Sequence, residues 1–352
     1  MNRRWICSDV WMDILPSFDH AQLGLKMALL SDRFDFLVDK HFDGKTTELA
    51  IWRIINIDKD KGPKAKLSVL ADGKFMAFPL PDHSLPNKIR FKHLNILYID
   101  HFVIAFLRSN KQIWDRMGTK LDLFIDGDET EDVQPIWDIF VREIWPIFAT
   151  NLRHLSFAGP IHLDNLRRLI SPTILTDLDH LNLIDSYYLC PNVIADDGPN
   201  ATAGQVLSKW LHTPIKDGQP KRLHCCDYRG QPNLEWVNNL KEAFSRATSS
   251  VSYIIRIDHV KTMPTESFES MNERTKEKLT LEKVSRYDDF DLLLKRCPIS
   301  EKAATDQWEN DKNWDDKLNN VQFELWRGNR PIGPLSPPST EEEADQSNKN
   351  VV

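Results

Sequence analysis

Three consecutive residues, His224, Cys225 and Cys226, are of the types that could hold zinc or supply a thiol nucleophile. Structural zinc needs four convergent ligands, usually from paired Cys-x-x-Cys segments, and a nucleophilic cysteine needs an adjacent base that lowers its pKa. On a strand, adjacent side chains point to opposite faces. We therefore expect one cysteine in the core and one half-exposed, with no metal site and no catalytic residues.

The acidic run from Asp126 to Asp132 has a composition typical of calcium loops, but its single glycine is in the second position. A calcium loop of the EF-hand type needs glycine at its sixth position and a bidentate glutamate at its twelfth. We expect a solvated loop that leads into a helix. The sequence contains no phosphate-binding glycine loop and no Gly-x-Ser-x-Gly elbow, so it predicts a non-enzyme without cofactors.

The composition of the chain indicates which classes of partner to exclude and in which compartment to expect the protein. The 352 residues carry a formal net charge of −7 and no long basic run, so we expect no nucleic acid partner. An apolar run of the ~20 residues that span a bilayer is absent from the sequence, so we expect no membrane partner. The five cysteines lack framework spacing and predict reduced thiols, hence a cytoplasmic or nuclear protein.

The elements that must position any site begin with an unusually apolar N-terminus. Ser8 is a candidate N-cap for a first short helix that Pro16 ends, Asp19 caps a second, and Phe34, Leu37 and Val38 mark a third. So much apolar surface exceeds what helices this short can bury within themselves. The pattern predicts docking onto another chain, or capping of the chain's own next domain.

This stretch resembles an F-box, the three-helix module that binds a Skp-type adaptor of cullin–RING ubiquitin ligases. The resemblance rests on residues 9–15, 23–25 and 29–34, although Ile6-Cys7 replaces the leading leucine-proline of the family pattern. Together with residues 296–299, the sequence of this stretch is similar to the lineage-expanded F-box families of nematodes. The resemblance implies a substrate receptor that binds the adaptor, through it a cullin, and an unknown target protein. The implied adaptor-binding residues are Ile6, Val10, Trp11, Ile14, Leu15, Leu23, Leu25 and Leu29.

Beyond the helical module, strand and helix patterns alternate from residue 94 to 246, and short strands then follow in series. Residues 152–157 and 178–183 resemble leucine-rich-repeat strands. We predict an α/β fold in which a three-helix F-box (1–44) precedes an irregular leucine-rich-repeat-like α/β solenoid ending in an antiparallel strand meander (45–330). A generic α/β sheet is the alternative. The Pro-, Ser- and Glu-rich residues 331–352 predict a disordered tail.

Overall fold

The computed structural model contains a mixed α/β fold with parallel and antiparallel strands. It divides into two compact units, residues 1–113 with 324–352 and residues 114–323, which differs from the predicted division at 44 and 330. None of the helices in the described residues is long and apolar enough to cross a membrane. The structure describes residues 6–18, 23, 27, 30–41, 47–56, 65–71, 74–81, 84–85, 89–125, 134–192, 194–215, 219–226, 235–260, 266–285, 290–299, 318–326 and 331–336.

The first unit begins with helix α1 (Ser8–Ile14), a 3₁₀ turn (Leu15–Ser17) and helix α2 (Asp32–His41). The N-cap of α1 is Cys7 and makes no side-chain capping bond, so the predicted Ser8 cap is wrong by one residue. Most of the predicted second helix lies outside the described residues.

Four strands follow, with the order β4-β1-β2-β3. The sequence predicts that residues 66–70 pair back on a strand at 49–57 as a hairpin, and this is confirmed, since β1 and β2 pair antiparallel. Strand β4 pairs with β1 in parallel. Strand β3 is an element that the sequence analysis did not predict, and it pairs with β2. The strands are β1 (Thr47–Asn56), β2 (Ala65–Ala71), β3 (Lys74–Pro79) and β4 (Ile89–Ile96).

One predicted helix is two, α3 (His101–Ser109) and α4 (Lys111–Met117). Between them, the buried Asn110 side chain donates to the Phe106 carbonyl and accepts from the Leu85 N–H. The predicted disordered tail also begins with paired backbone. The Ile99 N–H donates to Pro331, and the Gly333 N–H donates to Ile99.

The second unit contains five parallel strands in chain order. The repeat-like pattern predicted four of them, β5 to β8, whereas β9 falls in the series that was expected to be antiparallel. Strand β7 starts five residues later than predicted, because residues 178–181 form a turn in which the Leu181 N–H donates to the Leu178 carbonyl. The strands are β5 (Thr119–Ile125), β6 (Leu152–Phe157), β7 (Leu183–Tyr187), β8 (Lys221–Cys226) and β9 (Tyr253–Val260).

Helices connect these strands. A π-helical turn (Phe140–Ile144) interrupts the first connection, just before Pro146, which has no N–H for the helical ladder. The helices are α5 (Gln134–Ile139), α6 (Trp145–Phe148), α7 (Pro160–Leu169), α8 (Ile174–Asp177), α9 (Ala203–Leu211) and α10 (Glu235–Arg246).

The predicted antiparallel meander is confirmed in β10 (Phe268–Asn272), β11 (Glu277–Ser285) and β12 (Phe290–Pro298), and β12 pairs antiparallel with β9. The last strand, β13 (Asn319–Leu325), lies beside β5 rather than beside the meander. The coarse α/β prediction therefore holds, while the solenoid stays a prediction.

Candidate functional site: an N-terminal helical module and a charged row

The N-terminal helices have a small core of their own. Its buried members, Leu15, Leu23, Leu37 and Val38, all come from residues 15–38. Trp11 packs edge-on against Phe34, with ring centroids 4.8 Å apart, and the Arg33 guanidinium donates to the Ile6 carbonyl at 2.6 Å. These contacts join α1 to α2. We call residues 6–41 the helical module.

The residues predicted to bind the adaptor fall into three groups. Leu15 and Leu23 are fully buried in the module's own core. Ile6 and Val10 are each 45 % exposed, and Trp11 and Ile14 are half-buried beside them. Leu25 and Leu29 lie outside the described residues. Surface contact with a partner is thus available to Ile6, Val10, Trp11 and Ile14, which we call the docking face.

Two further apolar side chains of the module are more exposed than any predicted contact, Leu30 at 63 % and Phe36 at 66 %. Neither residue was among the predicted adaptor contacts. Phe36 could have been, because it directly precedes the buried Leu37-Val38 pair and therefore lies on a different face of the helix. Unpartnered large apolar side chains grouped on one small module are a feature of interaction surfaces.

A second set of functional candidates lies on the strands of the second unit. The register places these residues on one face of neighbouring strands: Asp122 is beside Ser156, Ser156 beside Asp185, Asp185 beside His224 and His224 beside Arg256. The opposite face contacts the helices, because Lys221 lies over the Trp210 ring and Arg296 over the Phe244 ring. The charged row, as we call it, comprises Lys120, Asp122, His154, Asp185, His224, Arg256, Asp258 and Asp291.

Asp185 is at the centre of the row. Its carboxylate oxygens lie 2.9 Å from His154 Nε2, 3.4 Å from His224 Nδ1 and 3.7 Å from Lys120 Nζ. The other ring nitrogen of His224 lies 2.7 Å from Asp258 Oδ2. His224 therefore bridges two carboxylates on adjacent strands.

Arg256 extends the network toward the meander. Its Nε donates to Asp258 at 2.9 Å, and an Nη donates to Asp291 at 2.6 Å. Asp291 is buried, so the guanidinium supplies a compensating charge that a buried carboxylate requires. The network thus runs without a break from β5 to β12.

The pKa values of the row follow from these contacts. Burial raises the pKa of Asp185, but His154, His224 and Lys120 outweigh it and hold that pKa well below its usual range. Burial lowers the pKa of His224, but hydrogen bonds to Asp185 and Asp258 raise it to about 9. For Asp122, burial prevails over nearby cations and raises the pKa. His224 is therefore a cation at neutral pH.

The cysteines expected to differ in exposure are both buried, so the prediction of a half-exposed one is wrong. Cys226 is on the face of the charged row, beside Asp258, while Cys225 is on the helix side. A contact with Cys190 and burial raise the pKa of Cys225, which disfavours a thiolate. Within the described ranges, the His, Cys, Asp and Glu residues form no group of three that could hold a metal ion. The acidic run 126–132 lies outside these ranges.

The raised pKa of His224 predicts a pH-dependent contribution to folding. Because the folded pKa of about 9 exceeds the ordinary 6.5, the stabilisation is complete below pH 6.5 and is lost as pH rises through about 9. We expect the difference in free energy of unfolding between wild type and His224→Gln to shrink over that window in urea titrations. Burial lowers the pKa of Lys221 to about 7, which gives an opposite slope in both proteins and cancels. A difference constant with pH, or an equal change in the exposed-site control His180→Gln, would contradict this.

Comparison of the chain with protein-family models, with curated proteins and with solved structures found no match.

Proposed function

We propose that this protein is a non-catalytic substrate receptor of a Skp–cullin–F-box ubiquitin ligase. In this proposal the helical module docks the Skp-type adaptor, and the second unit holds a target protein. The receptor acts by proximity, since tethering a target raises its effective concentration near a charged conjugating enzyme. The protein's own contribution is binding and orientation.

One observation carries the proposal. Among the described residues, the buried core of the helical module comes from residues 15–38, with Trp11, Met12, Phe18, Met27 and Phe34 packed on it, while Ile6 and Val10 are exposed. Helices that served only to cap the next domain would place their apolar residues in that domain's core. A self-cored module with an exposed apolar face instead suits attachment of a partner.

The burial pattern also selects the variants for a test. Substitution of Leu15 by a charged residue would unfold the module, because that side chain is fully buried. Ile6→Asp/Val10→Asp changes exposed positions and should leave the fold intact. A matched control is Ile194→Asp, an equally drastic change at an exposed apolar residue of the second unit.

We expect the full-length protein to co-purify with a co-expressed Skp-type adaptor and a cullin. Ile6→Asp/Val10→Asp should reduce recovered adaptor by about tenfold or more, since charges placed in an apolar interface are desolvated without a partner. Ile194→Asp should bind as wild type does. Failure of the wild-type protein to retain the adaptor, or equal retention by the double variant, would favour a protein-interaction scaffold whose helices only cap its own fold.

A further inference from the structure

The charged row presents its cations outward and its carboxylates inward. The side chains of Arg256, His224 and Lys120 are 45 %, 35 % and 22 % exposed, whereas every carboxylate of the row is 19 % exposed or less. This arrangement is notable because the chain as a whole carries a net charge of −7. The outermost side chains of the charged row are therefore its cations, and its four carboxylates are less exposed.

Arg256 has an unused donor edge. Two carboxylates hold its Nε and one Nη, at 2.9 and 2.6 Å, so the plane of the guanidinium is fixed. Among the described residues, its other Nη donates to no protein acceptor. A fixed guanidinium with an available edge loses little conformational entropy when it binds a carboxylate. The two aspartates thus fix the orientation of the guanidinium and leave one donor edge directed away from them.

The other cations extend the surface along the sheet. The ring of His224 uses both nitrogens on Asp185 and Asp258, so it contributes positive charge and no further hydrogen bond. Lys120 Nζ lies 3.7 Å from an oxygen of Asp185 and 3.9 Å from an oxygen of Asp122, so it adds positive charge at the β5 end of the row. From β5 to β9 the row crosses four strand spacings, about 19 Å, the length of about six extended residues.

We propose that the charged row binds an extended acidic peptide segment of a partner protein, with Arg256 as the anchor for one carboxylate and Lys120 for another. The inference rests on the proposed function, because the partner would be the target. The cations of the row are separated from one another by carboxylates, and a short peptide with spaced acidic side chains can match that spacing. A nucleic acid strand is less suitable. Its evenly spaced phosphates would also lie close to Asp185, and the net negative charge of the protein would repel them.

The test is fluorescence anisotropy with the full-length protein and a labelled peptide of alternating glutamate and serine, about twelve residues long. Comparison probes are the matched lysine–serine peptide and a single-stranded RNA of about the same length. We expect saturable binding of the acidic peptide that weakens as salt rises. Tighter binding of the RNA, or equal binding of both peptides, would overturn the proposal.

Variants locate the site. Arg256→Gln should weaken binding of the acidic peptide by about tenfold, and Lys120→Gln should weaken it measurably. Arg246→Gln on α10 is the matched control, because this arginine is 80 % exposed and pairs with Glu242 in solvent. Thermal unfolding checks that each variant is folded. If Arg256→Gln does not fold, the binding of the acidic peptide by Lys120→Gln tests the site instead. An equal loss in Arg246→Gln would overturn the assignment.

Adaptor capture separates this inference from the proposed function. Arg256→Gln should capture the Skp-type adaptor as wild type does, since the change leaves the helical module intact. Absent peptide binding with intact adaptor capture overturns the acidic-peptide inference alone. Absent adaptor capture with intact peptide binding overturns the receptor proposal and leaves the acidic-peptide site standing.

Discussion

Replacement of Glu277 by glutamine is expected to lower the free energy of unfolding by about 3–5 kcal/mol. Glu277 is fully buried and accepts from both Nε and an Nη of Arg296, at 3.1 and 2.7 Å. It also accepts from the Val251 N–H at 2.7 Å and from Ser250 Oγ at 2.9 Å. The amide would leave the buried Arg296 charge without its counter-ion, and that uncompensated charge dominates the cost.

Urea unfolding of the Glu277→Gln protein measures this effect, with Glu273→Gln as the control because Glu273 pairs with Lys276 in solvent. The control should leave the free energy of unfolding close to that of the wild-type protein. The double variant Glu277→Leu/Arg296→Met should lose less than the sum of its single variants, since both charges leave together. It should not recover wild-type stability, because the Val251 N–H still loses its acceptor. A loss below about 1 kcal/mol for Glu277→Gln would show that the pair is not buried as described.

Replacement of Asp185 by asparagine should have the next largest effect, a loss of about 1–3 kcal/mol. Its carboxylate is the partner of His154, His224 and Lys120, and the amide cannot offset their charge. The pKa of His224 should fall from about 9 toward its ordinary value, because one of its two carboxylate partners is gone. Urea titration measures the first quantity and NMR titration of the imidazole the second.

A double variant checks the prediction for Asp185→Asn. Asp185→Asn combined with His224→Gln should cost less than the two single changes added together, because the residues contact each other. Glu242→Gln is the control, since Glu242 is 71 % exposed and pairs with Arg246 in solvent on the surface of α10. An unchanged pKa for His224 in the Asp185→Asn protein would mean that the charged row does not act as one network.

Local pattern predicted some elements well. The strand predicted for residues 221–226 agrees with β8, in which the buried Leu223 and Cys225 alternate with less buried residues. The helix predicted for residues 203–212 agrees with α9, because Thr202 and Gln205 form a capping box. Strand β3 was missed, because its short run ends in Pro79 and a proline-rich stretch reads as a loop; pairing with β2 decides its conformation. The start of β7 was missed because the apolar residues Leu178 and Leu181 fit a strand as well as the turn they form.

The candidate site shows the same division between local and long-range information. Apolar spacing located the helical module, but it could not tell which of two crowded faces is inside, so Leu15 and Leu23 were placed with Val10 in one contact set. Cys7, at the N-cap of α1, adopts φ −68°, a value that proline also takes. The charged row was missed because its members come from six strands, and only sheet register brings them together.

The central claim is that the docking face binds a Skp-type adaptor. Isothermal titration of the purified full-length protein with the purified adaptor tests it most directly. The receptor proposal predicts a one-to-one complex with a Kd of about 1 μM or tighter, abolished in the folded Ile6→Asp/Val10→Asp variant. Absence of binding at about 100 μM by a folded wild-type protein, or binding that the double variant retains, would contradict the proposal.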